Sequence, residues 1–441
     1  MRIVWLILLV LAGGAGYYAY TRLERVPPTI GGLSTPAFAG AEYRHTFRFN
    51  DKESGVRHVR VWLEAGGKNY QLTDQEFPGS VVTGAELAIE REVEVVVKPK
   101  ELGVPDGPAV LQAEVTDYAW VPNTAVEQIP LTIDTTPPRA SLLTGLTYVR
   151  RGGSELAVYT VEDKVDRSGV AVGDKFFPGF VDPKDPKRHL AFYAIPADAP
   201  ADAKPTLVAT DPAGNSTKIP LVTSLMDRTF PADTLPLTDD FMKAKIAEIL
   251  PDFQGSPLDG YLKINRDVRK ENDAKIAEVC ANSSVDRLWS GPFTQMPNTH
   301  AGASFAQRRS YVYGGKVVDQ QTHMGYDLAS TAHADIPAAN DGVVVWAGPL
   351  GIYGNAVILD HGLGLFSLYG HMSEIDVQIH KPVNQGETLG KSGTTGLAGG
   401  DHLHFAMILD GVFVDPLEWF DKKWIDDHIE AKLGTTPSSG G

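Results

Sequence analysis

Four separated segments in the last third of the chain carry side chains that could hold a metal ion and move a proton. THMGYDLA supplies His323 and Asp327. Their even spacing would place both on one face of an extended strand, with Gly325 keeping that face open. A neutral imidazole and a carboxylate are both ligands that zinc accepts. The stretch from Gly342 ends on Tyr369-Gly370-His371, and the Gly-rich turn region Gly386–Gly400 follows it. Such a loop suits the edge of a cleft where backbone must approach a ligand. DHLHFAMIL then supplies His402 and His404. Their i, i+2 spacing on a strand turns both imidazoles to one face, with Leu403 and Phe405 on the other. His323, Asp327 and one imidazole of the HLH pair make a three-ligand set with a fourth position open, the pattern of catalytic zinc. Zinc lowers the pKa of its water toward about 7 and polarises a carbonyl. Hydrolysis also needs a group that takes the water proton and returns it to the leaving amine. The leftover imidazole of the pair can do this, and His371 is a second candidate.

The elements that must position these residues are mostly strands. GVVVWAGPLGIYGNAVILDHGLGLFSLYGHMS alternates and turns on glycines, as an antiparallel sheet with a hairpin does. From Val26 to about Val222 short runs such as HVRVWLEA, EVEVVVK and ELAVYTVED alternate apolar and polar residues between Gly, Pro, Asn and Asp turns. A weak repeat runs through them: Pro27-Pro28 and Pro137-Pro138 open two copies, Ser54-Gly55-Val56 echoes Ser168-Gly169-Val170, and Val115-Thr116-Asp117 echoes Ala209-Thr210-Asp211. The expectation is two tandem immunoglobulin-like β-sandwiches at 26–135 and 136–226, resembling bacterial surface modules. Acids before FMKAKIAEIL and Pro251 after it mark a helix, and Asp267 to Cys280 is a second candidate. Residues 227–292 are therefore expected as a helical connector, 293–432 as the domain with the chemistry, and 433–441 as a disordered tail. Ile3 to Tyr20 carries no charge, with Arg2 before it and Arg22 and Arg25 after it. Residues 1–25 are expected to be a signal anchor that spans a membrane, or else a cleaved signal peptide.

Composition removes several classes. The 441 residues hold 40 basic and 55 acidic side chains, a net charge of −15. That is a poor surface for nucleic acid, which needs clustered Lys and Arg. Cys280 is the single cysteine, so intramolecular disulfides and cysteine-rich metal sites are excluded. In its helical setting Cys280 is expected to be unreactive.

The order H-x-G-x-D, HG…YGH and G-x-SG-x-TGLA-x-GDHLHF resembles the lysostaphin/LytM-type zinc endopeptidase family. The resemblance covers about Phe293 to Phe420. It implies a small antiparallel β-sheet domain with a groove and hydrolysis of peptide bonds in peptidoglycan, in the bacterial cell envelope. It also implies His323, Asp327 and His404 as zinc ligands, His402 as a catalytic histidine and His371 as a second active-site histidine. SFAQRRSYVYGG resembles the family's lead-in, which would bring Tyr311 or Tyr313 to the site. His361 is expected to be structural, and His300, His333 and His380 to be exposed, His300 in a polar loop. Asp401 and Asp335 are candidates for hydrogen bonds to the imidazoles. Asp415-Pro416-Leu417-Glu418-Trp419 resembles the family's ending. The expected partners are peptidoglycan peptides, a membrane contacted through the N-terminal helix, and an envelope protein, with no nucleic acid. The competing expectations are a catalytically silent activator of wall hydrolases and a wall-binding adhesive protein.

Overall fold

The computed structural model describes residues 2–23, 25–32, 37–85 and 90–434. The expected tail at 433–441 lies almost wholly outside them. The chain is mainly β and divides into two compact units. One unit is the chain up to Pro138 together with Thr210–Ser216; the other is Arg139–Ala209 with everything from Thr217 on.

In the first unit a three-stranded sheet (Thr29–Gly31, Tyr43–Asn50, Glu90–Val97) and a five-stranded sheet built around Val56–Ala65, Gly107–Asp117 and Thr124–Ile133 contribute to one apolar core. Alternation decides the inward face: Phe47 and Phe49 from the first sheet meet Val59, Val61, Leu63, Leu111 and Val115 from the second. This unit also holds the N-terminal helix α1 (Arg2–Arg22), on which Val4 to Leu11 are all exposed. Among the described residues no helix is long and apolar enough to cross a membrane.

The second unit starts with a four-stranded sheet (Ala140–Leu142, Ser154–Val161, Asp185–Ala194, Phe180–Asp182) and a further one containing Arg167–Val172. Its core is continuous with that of the C-terminal region. Phe192 packs on Trp419 and Trp289, with ring centroids 5.9 and 6.4 Å away. Polar contacts reinforce the seam. The Ser154 amide donates to Glu418 Oε2 (2.8 Å), and fully buried Glu155 meets His428 Nδ1 (2.8 Å) and the Lys432 ammonium.

The segment expected as a helical connector opens with a strand, β1 (Ala232–Pro236). Helices α2 (Asp239–Ile249) and α3 (Pro257–Lys263) follow, and α3 runs through one π turn into α4 (Arg269–Val279). The strand forms because β1 adds in parallel to the edge of β3 (Gln307–Tyr313), which pairs with β4 (Lys316–His323). Leu235 and Leu237 can then cover Tyr311 beside Met242 and Tyr261. His300 lies on a strand, β2 (His300–Ala303), and not in a loop, though it is exposed as expected.

The C-terminal sheet orders β2, β5 (Tyr326–Ala329), β10 (Leu403–Leu409), β8 (Leu365–Met372), β7 (Asn355–Gly362), β6 (Gly342–Pro349) and β9 (Pro382–Val383). A short β11 (Val412–Val414) pairs beside β10. All these pairs are antiparallel, as the alternation of the sequence implies.

Candidate metal centre

β4 ends on His323 and β5 starts at Tyr326, so Met324 and Gly325 form a bend between strands of two different sheets. One straight strand would hold side chains four residues apart about 13 Å from each other. The bend instead brings His323 Nε2 to 2.9 Å from Asp327 Oδ1. A Cβ on Gly325 would stand 2.6 Å from two atoms of the His404 ring, so the glycine makes room for that imidazole.

His404 lies on β10 directly opposite Asp327 on one neighbouring strand and Gly370 on the other. Its Nδ1 is 3.0 Å from both Asp327 Oδ1 and His323 Nε2. His402, bridged to Gly393 just before β10, turns its Nε2 to within 3.4 Å of Asp327 Oδ1. Leu403 and Phe405 are buried on the opposite face. His371 comes from a bulge: Gly370 and His371 together face only Ala356 of β7. Its φ of +64° is in the left-handed region that bulky residues avoid, and this conformation aims its ring inward. The His371 and His402 ring centroids are 4.8 Å apart.

The tautomers follow from the backbone. Nδ1 of His323, His371 and His402 lies 3.0, 2.8 and 2.8 Å from the carbonyl oxygens of Ser304, Thr395 and Gly400. A carbonyl only accepts, so each Nδ1–H donates and each Nε2 offers a lone pair to the site. His404 is reversed: Nδ1 faces the centre, and the buried Nε2 has no hydrogen-bond partner. His323 Nε2 and Asp327 Oδ1 are thus two acceptors at hydrogen-bond distance. At most one proton, on His404 Nδ1, could sit among three converging atoms. A cation that accepts from all three satisfies the set better. His323, Asp327 and His404 are the group among the described residues whose ligand atoms cluster in this way, and their nitrogen and oxygen donors fit zinc.

The surrounding charges shape the site. Burial alone would raise the Asp327 carboxyl, but His323, His402 and His404 outweigh it and hold the group well below the usual carboxylate range. Burial pushes His404 down to about 4. His371 is lowered by burial and by the neighbouring His404 and His402. Burial also works to lower His402, yet the Asp327 carboxylate and the Gly400 carbonyl leave it raised. Asp327 Oδ2 accepts from Arg309 Nη2 at 2.9 Å. The cluster opens into a cavity of about 620 Å³ whose far walls include Leu235, Phe241, Tyr261, Tyr311 and Leu397.

Arg309, not the tyrosines after it, is the lead-in residue that touches a candidate ligand. Tyr311 lines the cavity, and half-buried Tyr313 donates to Asp239 Oδ1 at 2.7 Å. Neither Asp401 nor Asp335 bonds an imidazole of the cluster: Asp401 accepts from Ser392 Oγ and the His333 amide, and Asp335 pairs with Lys391. Backbone carbonyls take the place expected of these acids. His361 is buried between the Asp341 carbonyl and Ser367 Oγ, away from the cluster. His333 and His380 are exposed, and Cys280 is buried with its thiol pushed up by burial.

Residues 321–416 match the profile of Peptidase family M23. They are an M23 peptidase domain. Over 95 residues, 22% of this chain and 22% of the relative, the sequence is 38% identical to DD-carboxypeptidase/endopeptidase Mpg of Neisseria meningitidis serogroup B. It is 27% identical to the peptidoglycan DD-endopeptidase ShyA of Vibrio cholerae over 36% of this chain and 34% of that one. It is 28% identical to the murein hydrolase activator EnvC of Escherichia coli over 25% of this chain and 26% of that one. The matched stretches therefore span between 22% and 34% of these relatives' own lengths. The M23 match takes in all five clustered side chains but neither Arg309 nor the helices α2 to α4.

Proposed function

We propose that the protein is a zinc-dependent endopeptidase that hydrolyses peptide cross-links or bridges of peptidoglycan in the bacterial cell envelope. One observation carries this reading: three metal-type donor atoms converge beside two further imidazoles whose Nδ1 atoms are held by backbone carbonyls, and all five side chains line a cavity large enough for a peptide. His323 Nε2, Asp327 Oδ1 and His404 Nδ1 would hold the zinc. A bound zinc ion supplies Lewis acidity toward a carbonyl and toward water. Arg309 holds the second Asp327 oxygen, so the first faces the centre. His402 Nε2 is placed to accept the water proton and pass it to the leaving amine. His371 Nε2, on the same side, orients the water or, once protonated, stabilises the developing oxyanion.

Peptidoglycan as substrate draws support from the name of the ShyA relative, a peptidoglycan DD-endopeptidase. We extend the proposal to an envelope location, with contact to the membrane through the apolar exposed helix α1, and to immunoglobulin-like modules at 26–135 and 136–226 that space the domain or bind an envelope partner. The experiment uses the full-length protein, purified peptidoglycan and mass spectrometry of released muropeptides. His404→Ala is expected to lose zinc and activity, and His402→Ala to keep zinc and lose activity. Full activity in His402→Ala would refute the assigned base. Likeness to a murein hydrolase activator favours a second, non-catalytic reading. Wild-type protein that binds no zinc and cleaves nothing would favour that reading, or the adhesive one.

A further inference from the structure

We propose that Glu248, on helix α2 outside the M23 match, is a positioning residue for His371 and acts on it through a single peptide group. This rests on the hydrolytic reading above for its kinetic consequence, not for its spectroscopic one.

The geometry is a short relay. The Gly396 amide N–H donates to Glu248 Oε1 at 2.5 Å. That N–H shares one planar peptide unit with the Thr395 carbonyl, and in a trans peptide the two point in opposite directions. The Thr395 carbonyl in turn accepts from His371 Nδ1 at 2.8 Å. A carboxylate that grips one end of this plane fixes the direction of the other end. It also polarises the amide, which makes the carbonyl a stronger acceptor for the imidazole proton. The relay thus does across one peptide what a carboxylate does when it bonds a catalytic histidine directly. It fixes which nitrogen carries the proton and where the Nε2 lone pair points.

The surroundings are built to hold this plane. Lys245, also on α2 and buried, donates from Nζ to the Thr394 carbonyl at 2.8 Å and to Glu248 Oε2 at 3.1 Å. The Lys–Glu pair therefore straddles Thr395, the cation on the peptide before it and the anion on the peptide after it. An ordinary i, i+3 pair on a helix surface leaves both heads in water. Here the lysine is buried against backbone. The turn has little freedom to evade the grip. A Cβ on Gly396 would fall 2.3 Å from Gly354 N and 2.4 Å from Ile352 O, so this turn interlocks with the turn at 351–354. Thr395 Oγ1 accepts from the Asn355 amide, and Asn272 of α4 takes the Ile352 amide at 2.8 Å. Helices α2 and α4 therefore back the two turns behind His371, while the M23 segment alone contains neither helix.

The test compares wild type, Glu248→Ala, Glu248→Gln and Lys245→Met as zinc-loaded full-length protein. In ¹⁵N-edited NMR, the His371 Nδ1–H resonance, assigned through its loss in His371→Ala, is expected to move upfield in Glu248→Ala. It should move less in Glu248→Gln, which keeps an acceptor oxygen but loses the charge. Lys245→Met should shift it in the same direction. On peptidoglycan peptides kcat is expected to fall roughly 10-fold or more in Glu248→Ala, with KM and zinc stoichiometry unchanged and partial rescue in Glu248→Gln. An unmoved Nδ1–H resonance in Glu248→Ala would overturn the relay. So would a loss of kcat that Glu248→Gln shares in full and that follows a fall in Tm, because that pattern describes a folding defect. Wild-type protein that cleaves nothing refutes the hydrolytic reading instead, and leaves the resonance shift as the deciding result for the relay.

Discussion

Phe192→Ala is the perturbation that asks whether the second β-module is a spacer or part of the peptidase body. Phe192 belongs to the strand Asp185–Ala194 of the module, is 1% exposed, and lies against Trp289 and Trp419 of the C-terminal region. Truncating a buried phenylalanine costs about 3–5 kcal/mol, because transfer energy is lost and the cavity relaxes only partly. The two indoles here are pinned by Phe293, whose ring centroid is 5.5 Å from Trp289 and 5.7 Å from Trp419, so collapse into the cavity is hindered and the upper part of that range applies. At roughly 2–4 °C per kcal/mol for a large domain, the melting transition should fall by roughly 8–20 °C. The assay is calorimetry together with tryptophan fluorescence, since Trp289 and Trp419 report from the far side of the seam. If module and peptidase form one cooperative body, the fluorescence transition moves with the calorimetric one. If the module melts early while the tryptophan transition stays at its wild-type temperature, the shared core does not couple them and the reasoning fails.

Two further substitutions probe the site and the seam. Gly325→Ala places a Cβ 2.6 Å from the His404 ring; it should abolish zinc binding while costing only about 1–3 kcal/mol of stability, read by metal analysis beside thermal melts, and retained zinc would show that the bend can yield. Glu418 has its carboxyl pushed up to about 7 by burial, only partly offset by the hydrogen bonds from Ser154. Its proton is held more tightly in the folded state than in the unfolded one, so its contribution to stability is greatest below the unfolded pKa near 4.5 and declines as pH rises to about 7. Glu418→Gln should flatten that part of the stability profile by up to about 3 kcal/mol, and a denaturant series at pH 4.5 and pH 8 with parallel wild-type and variant curves would contradict it.

The parts of this fold that follow a local period were legible in the sequence, and the parts that depend on chain reversal were not. His402 and His404 face the site together because period-two alternation holds up to the start of β10, and Leu403 and Phe405 confirm it from the other face. The same argument failed for His323 and Asp327. It predicted one strand, yet the residues meet only because Gly325 bends the chain between two sheets. A glycine between two ligands was readable as making space; which ring it makes space for was not, since His404 lies 79 positions away along the sequence. Strand β1, ADTLP, carries too few β-forming residues to announce itself and is a strand because β3 offers it an edge. The residues that fix the imidazole tautomers were invisible for a more basic reason. Ser304, Thr395 and Gly400 act through carbonyls that every residue possesses, so no choice of side chain marks them. That difference separates two kinds of information at the site. Ligand and base identities are written in side chains and can be read from a motif. The protonation pattern that makes those side chains useful is written in backbone geometry, held in part by Glu248 and Asn272 from helices that no motif covers. A segment reduced to the matching 321–416 would keep every metal-type donor of the cluster and the Thr395 and Gly400 carbonyls, and would lose Ser304 behind His323, Arg309 on Asp327 and Glu248 behind the Thr395 turn.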